Sequence, residues 1–191
     1  MPDLRERILR SSFELFPLGI RFASGKLANN KLDLEHIQRD KALRAMIVRR
    51  LGQRVLEHSP DAIVAVPDGA NWIAKDIADQ YDELTLIRLK RNQQNRDVIS
   101  FQTAADRVLC GLSERAVLLE DAINEFTSTQ RVAAIPEIGK IIVAEEAIWD
   151  RGDPTERIEP EFPYRALITE PIPLQLPAES PLRQYARGNH L

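Results

Sequence analysis

The 191-residue sequence has a single cysteine and three histidines. Cys110 has no partner for an internal disulfide, so nothing in the chain points to an oxidising compartment and a cytoplasmic protein is expected. Its thiol reads as a small buried hydrophobe. His36, His58 and His190 are too scattered to form a zinc-binding spacing, so any metal is expected to be a hard cation held by oxygen, with no direct ligand set in the chain. Long apolar runs are lacking as well. None approaches the roughly 18 residues of a membrane span, and the charged start MPDLRERILR is not followed by the apolar stretch a leader needs. Nor is there a surplus of basic charge: 26 Lys and Arg stand against 29 Asp and Glu, a formal net charge of -3. Such a balance gives no broad positive field to draw the chain to nucleic acid or to an anionic membrane. No internal repeat suggests a solenoid.

What is present suits one domain. Hydrophobic residues make up 43% of the chain, enough at this length for one full core. Leu4, Ile8, Leu9, Phe13 and Phe16 recur at helical spacing and predict a first helix, ended by Pro17 and Gly19. Asp33 is the expected N-cap of a long second helix carrying Leu34, Ile37, Leu43, Met46, Ile47, Leu51, Val55 and Leu56, which stops before Pro60. Short aliphatic runs at 62–66, 84–89, 116–120 and 140–149 predict strands. Helices are expected between them at 71–81 and 127–135, the latter limited by Pro136. This alternation implies an α/β fold with a mostly parallel sheet flanked by helices. The polar stretch RNQQNRDVISFQTAAD (91–106) reads either as a mobile lid or as a solvated connection with a short strand at VISF. After Thr169 the composition becomes proline-rich, which predicts an extended arm with a final helical turn, either clasping a neighbour or disordered.

In an open parallel sheet, ligands bind beyond the carboxyl ends of the strands. The segment VLLEDAINEFTSTQRVA places two adjacent acids, Glu120 and Asp121, at the end of a buried strand. Hydroxyls of Thr127, Ser128 and Thr129 follow at a helix start. Acids so placed suit sugar hydroxyls or a hydrated Mg²⁺, and the hydroxyls with nearby amides suit a phosphate. A plain strand followed by an N-capped helix has the same pattern.

This segment resembles the phosphoribosyl pyrophosphate motif of the type I phosphoribosyltransferases, in which a hydrophobic strand ends in two acids and continues as VITTGGS. Glu120, Asp121, Ala122 and Ile123 match it. Three further segments fall in the family's order. SGKLANNKLDL is similar to the base-framing SGKxSPxYxDL of orotate phosphoribosyltransferases at Ser24, Gly25, Lys26, Asp33 and Leu34. DAIVAVPDGANWIA resembles the pyrophosphate loop, with Gly69 as its glycine. AIWDRGDPTERIEPEFPYRALIT resembles the late Asp-Arg strand end, through Asp150 and Arg151, and the strand that closes the domain.

The resemblance implies a phosphoribosyltransferase-like domain over 1–169, with an N-terminal hood over 1–35 and an arm over 170–191. It implies that Glu120 and Asp121 hold ribose, and that Asn124, Thr127, Ser128 and Thr129 hold the 5′-phosphate. Asp68, Gly69 and Ala70 then form the pyrophosphate loop, and Ser24, Gly25 and Lys26 meet the base or phosphoribosyl pyrophosphate. Arg88 is added to that contact set on position alone. Mg²⁺ is the implied cofactor, a nucleobase such as orotate the second substrate, and a homodimer the implied assembly. The catalytic residue stays unassigned.

The sequence also departs from the pattern at each loop. SPxY is replaced by Ala28, Asn29, Asn30 and Lys31. Asp68 places a carboxylate in the pyrophosphate loop, and the mobile KxxKxHG loop has no clean match, although Lys90 and Arg91 lie nearby. Glu125 and Phe126 stand where the phosphate loop has threonine and glycine. Such a loop accepts a phosphate only if Phe126 turns away and Glu125 faces solvent. Two functions are therefore carried forward: transfer of a ribose phosphate to a nucleobase, or a fold that has lost the reaction and serves as a nucleotide sensor or partner subunit.

Overall fold

The computed structural model describes residues 3–21, 26–95 and 97–186. Helix α1 (Leu4–Ser12) starts at Asp3, whose carboxylate accepts a hydrogen bond from the Glu6 amide. It ends one turn earlier than its periodicity predicts. Strand β1 (Phe13–Arg21) follows directly and pairs antiparallel with β2 (Leu27–Leu32). Phe13 stays fully buried in this geometry too, so the apolar spacing did not discriminate helix from strand; the pairing with β2 did. Pro17, which has no N–H to donate, falls where the register shifts between Leu15 and Ile20. Along β2 the inward positions alternate as Ala28, Asn30 and Leu32.

The predicted long helix is in fact two segments. Asp33 caps a short 3-10 helix, Leu34–Arg39, and Asp40 then starts α2 (Lys41–Glu57) by accepting the Leu43 amide at 2.9 Å. A second acid able to satisfy the free amides of a new helix start resets the chain there.

From here strands and helices alternate: β3 (Ala62–Ala65), α3 (Asn71–Gln80), β4 (Thr85–Ile87), β5 (Leu89–Arg91), β6 (Ile99–Phe101), α4 (Ala104–Leu112), β7 (Ala116–Ile123), α5 (Thr127–Ala133), α6 (Pro136–Gly139), β8 (Ile142–Asp150) and β9 (Tyr164–Thr169). The main sheet has the order β4-β3-β7-β8-β9, and every neighbouring pair in it is parallel. The run 84–89 does not form one strand. It breaks at Arg88, whose backbone N–H turns to the Asp106 carboxylate at 3.0 Å, and β5 leaves to pair antiparallel with β6. The polar stretch between them is thus a β-hairpin, with its strand within VISF. Helix α4 was not predicted. Its signal is local, the N-cap Thr103 accepting from the Asp106 amide.

Alternate residues of the central strands serve opposite faces. Ile63, Ala65, Val117 and Leu119 pack with Ile47, Leu51, Ile73 and Ile77 of α2 and α3. Ala62, Val64, Ala116 and Leu118 pack with Cys110, Val132 and Ile138 of α4, α5 and α6. Burial pushes the Cys110 thiol up, with a smaller push from Glu137, consistent with an inert hydrophobic role. After β9 the chain does not leave the domain. Ile172, Leu176 and Leu182 are buried in the same core as Ile8, Leu9 and Phe13, and a 3-10 turn at Pro181–Tyr185 ends the described arm. No helix among the described residues is long and apolar enough to cross a membrane.

Candidate functional site

Strand β3 lies between β4 and β7, so the chain reverses its direction of travel across the sheet between β3 and β7. A crevice opens at the carboxyl ends of strands at such a switch point. The two loops that leave β3 and β7 meet there over a cavity of about 310 Å³. Asp68 and Gly69 enter it after β3, Glu120 and Asp121 from the end of β7, and Asn124 and Ser128 after β7. Lys31, Asp33 and Glu35 come from the hood, Arg91 from the hairpin, and Arg151 from the residue following β8.

Asp121 and Gly69 lie in close contact. A Cβ on Gly69 would overlap the Asp121 carboxylate, so only glycine lets the loop pass over this acid. Burial drives the Asp121 pKa up to about 6, aided by the charges of Asp33 and Glu35 and opposed by two backbone amides. Glu120 points the other way across β7. Its carboxyl accepts from the Thr129 hydroxyl at 3.0 Å, and the same hydroxyl lies 2.7 Å from Glu145 of β8, which is fully buried. Burial, then the charges of Glu145 and Asp121, push Glu120 well above the carboxylate range; burial pushes Glu145 up to about 7. This pair therefore holds a proton near neutrality.

The loop after β7 carries the expected conflict and resolves it. Phe126 adopts φ +57°, the left-handed geometry that glycine takes without cost. Its ring is 1% exposed and meets Tyr164 edge-on at 4.7 Å, with the Arg157 guanidinium 4.9 Å from its centroid. Arg157 is itself bound to Asp150, Nη2 to Oδ2 at 2.9 Å, in a nearly fully buried ion pair. Phe126 thus points away from the cavity, where Ser128 stands at its wall. Glu125 is neutralised by Lys26, Oε1 to Nζ at 2.6 Å. On the far side, the main chain of Gly152 passes so close to the Asn124 carbonyl that a Cβ would overlap it.

Solved structures supply the comparison. An orotate phosphoribosyltransferase from Aeropyrum pernix superposes with a TM-score of 0.63 at 16% identity, covering 87% of this chain and 94% of that one. The orotate phosphoribosyltransferase of Mycobacterium tuberculosis H37Rv in complex with Fe(III) dicitrate gives 0.60 at 18%, covering 87% and 94%. The adenine phosphoribosyltransferase of Trypanosoma brucei in complex with AMP, pyrophosphate and ribose-5-phosphate gives 0.62 at 12%, covering 87% and 79%. This chain has the type I phosphoribosyltransferase fold. The sequence matches no protein-family model and no curated protein.

On this phosphoribosyltransferase fold, the structure brings together Asp68, Gly69, Glu120, Asp121, Asn124 and Ser128. It does not bring the other expected residues to the cavity wall. Thr129 is buried between Glu120 and Glu145, Ala70 is buried at the start of α3, and Thr127 opens α5 outside the lining. Lys26 is held by Glu125. Arg88 is a correction: its side chain binds Asp106 at 3.2 Å, and Arg91, three residues on, reaches the site instead. Arg91 Nε donates to the Pro67 carbonyl at 2.9 Å and Nη2 to the Ser128 hydroxyl at 2.7 Å, so it bridges the two loops. Ser24 and Gly25 lie outside the described residues.

Sequence reasoning missed the functional placement of Arg151, Lys31 and Glu145. Arg151 had a readable signal, standing directly after a strand at the carboxyl edge of the sheet. It is 4% exposed, and burial lowers its pKa to about 10. A fourth grouping, Glu14, Asp33 and His36, has carboxylate and imidazole ligand atoms within 4.8 Å of one another, although Lys31 already binds Asp33 at 2.6 Å. Linear spacing concealed it because Glu14 sits on β1, one strand away.

Proposed function

We propose that the cavity binds phosphoribosyl pyrophosphate and that the protein transfers its ribose phosphate to a nucleobase, releasing pyrophosphate. The observation that carries this reading is the Asp121 carboxylate, set beneath Gly69 in the crevice between β3 and β7, with Ser128 and Arg91 on the same cavity. Asp121 accepts hydrogen bonds from ribose hydroxyls, Ser128 and its neighbours meet the 5′-phosphate, and the Arg91 guanidinium offsets charge on the leaving pyrophosphate. As the bond from C1′ to pyrophosphate loosens, its electron pair leaves with the phosphate oxygens, and the base nitrogen supplies the pair for the new bond. Catalysis is mainly positioning plus neutralisation. Arg151 lines the same cavity, and a base with carbonyl or carboxylate oxygens suits its guanidinium. Orotate is such a base.

Mg²⁺ fits the charge balance of the lining. With Glu120 protonated, four carboxylates, Asp33, Glu35, Asp68 and Asp121, face three cations, Lys31, Arg91 and Arg151, among the described residues. An anionic ligand needs added positive charge here. Held by ligand and water oxygens with Asp68 and Glu35 in support, the ion would supply that charge to the pyrophosphate.

Calorimetric titration with phosphoribosyl pyrophosphate and Mg²⁺ tests the site, and release of pyrophosphate with orotate, uracil or adenine tests the reaction. Absence of binding at millimolar ligand sinks the reading. One feature favours the second reading, binding without turnover: the hairpin turn 92–98, NQQNRDV, holds neither lysine nor histidine. Saturable binding with no pyrophosphate release from any base would establish it.

A further inference from the structure

The arm after β9 is tied to the hood through two neighbouring asparagines, Asn29 and Asn30. The Asn29 amide donates to the Leu174 carbonyl at 2.9 Å, and the Leu176 amide donates to Asn29 Oδ1 at 2.8 Å. Asn30 is fully buried. Its Nδ2 donates to the carbonyls of Pro173 at 2.8 Å and Leu174 at 3.1 Å, and to Asn29 Oδ1 at 3.1 Å. With its nitrogen committed to three oxygens, only its Oδ1 can face a donor. That donor is Arg151 Nη2, at 2.9 Å. The arm also grips Arg151 directly, since the Ile172 amide donates to the Arg151 carbonyl at 3.0 Å.

We infer that Asn30 is a positioning residue: fixed by the carbonyls of the arm, it aims the Arg151 guanidinium at the base end of the cavity, which makes the C-terminal arm part of the site for an anionic or carbonyl-bearing base. This deepens the proposed transferase site and rests on it for the identity of the ligand. An asparagine suits the task where an aspartate does not. A neutral amide orients the guanidinium without cancelling its charge, whereas a carboxylate at position 30 would neutralise it and would face three oxygens with no proton to offer.

The test compares wild type with Asn30→Leu and Asn30→Asp, using ¹⁵N-arginine labelling to follow hydrogen exchange of the Arg151 guanidinium, with thermal unfolding as the control for folding. Mg²⁺–phosphoribosyl pyrophosphate probes the phosphate end and orotate the base end. Asn30→Leu is expected to speed exchange at Arg151 at least about tenfold and to weaken orotate about tenfold. Phosphoribosyl pyrophosphate affinity stays within about twofold, because Asp121, Ser128 and Arg91 are untouched. Asn30→Asp restores slow exchange at Arg151 yet leaves orotate weak. Equal exchange in wild type and Asn30→Leu overturns the inference, as does an equal loss of affinity for both probes, which would mark a merely structural role. A wild type that binds neither probe sinks the transferase reading alone, because the exchange of Arg151 still decides whether Asn30 positions it.

Discussion

The loop after β3 and the loop after β7 lie side by side over one cavity, but they treat the need for glycine in opposite ways. At Gly69 the constraint is space: the backbone crosses the Asp121 carboxylate with no room for a side chain. At Phe126 the constraint is conformation alone, a left-handed φ of +57°, and the side chain packs against Tyr164 and Arg157. Left-handed backbone costs a non-glycine residue about 1–2 kcal/mol, while burying an aromatic ring against Tyr164 and Arg157 returns about 3 kcal/mol or more. A glycine required by contact can be replaced only if its neighbour moves, and a glycine required by φ can be replaced where the new side chain finds a core.

The largest effect follows from Gly69→Ala. The added methyl displaces the Asp121 carboxylate, and phosphoribosyl pyrophosphate affinity should fall about a hundredfold or more in calorimetry, equivalent to about 3 kcal/mol, while the protein stays folded. Retained affinity would remove Asp121 from the site.

Phe126→Gly should act on stability instead. It relieves the left-handed strain but empties the pocket beside Tyr164, for a net loss of about 2 kcal/mol in denaturant unfolding. Ligand affinity in the folded variant stays within about twofold, since the ring already points away from the cavity. A gain in affinity would mean that the ring obstructs the phosphate after all.

The third prediction concerns protons. Asp121 and Glu145 have folded pKa values raised by burial to about 6 and about 7. Raised carboxyl values favour the neutral form in the fold, so their stabilising contribution is complete below the unfolded values near 4 and is lost as pH rises through the folded ones. Unfolding free energy should therefore drop by on the order of 6 kcal/mol between about pH 4 and pH 8. Glu145→Gln should flatten that slope, and an unchanged slope would separate Glu145 from the titration.

The smallest effect is expected at the rim. Lys26→Met removes a half-exposed partner from Glu125, and solvent screening leaves such exposed ion pairs little weight in stability. Stability and ligand affinity should both move little. A tenfold loss of affinity would return Lys26 to the ligand site.

Much of the fold was legible because buried parallel strands leave continuous aliphatic runs. The segments at 62–66, 116–120 and 140–149 each overlap the strand found, and Asp121 falls near the carboxyl edge that its position after VLLE implied. Less was legible where one stretch satisfies two periodicities. Phe13 packs in the core from a helix or a strand, and only β2 decided between them. The same holds for the site. Asp68, Gly69, Glu120, Asp121, Asn124 and Ser128 could be read from strand ends, but Arg88 and Arg91 differ by three residues on a hairpin whose bend the sequence does not announce.

By itself, then, the sequence determined the places of the central strands β3, β7 and β8, the missing disulfide and zinc spacing, and the acids near the end of β7, because hydrophobic periodicity and residue chemistry are local properties. Tertiary structure alone decided that Phe126 turns into a cluster with Tyr164 and Arg157, that Glu145 shares Thr129 with Glu120, and that the arm reaches Asn30 to hold Arg151. Each of these joins residues from separate elements. Their energy depends on distance and burial in the folded chain, which no local pattern along the sequence encodes.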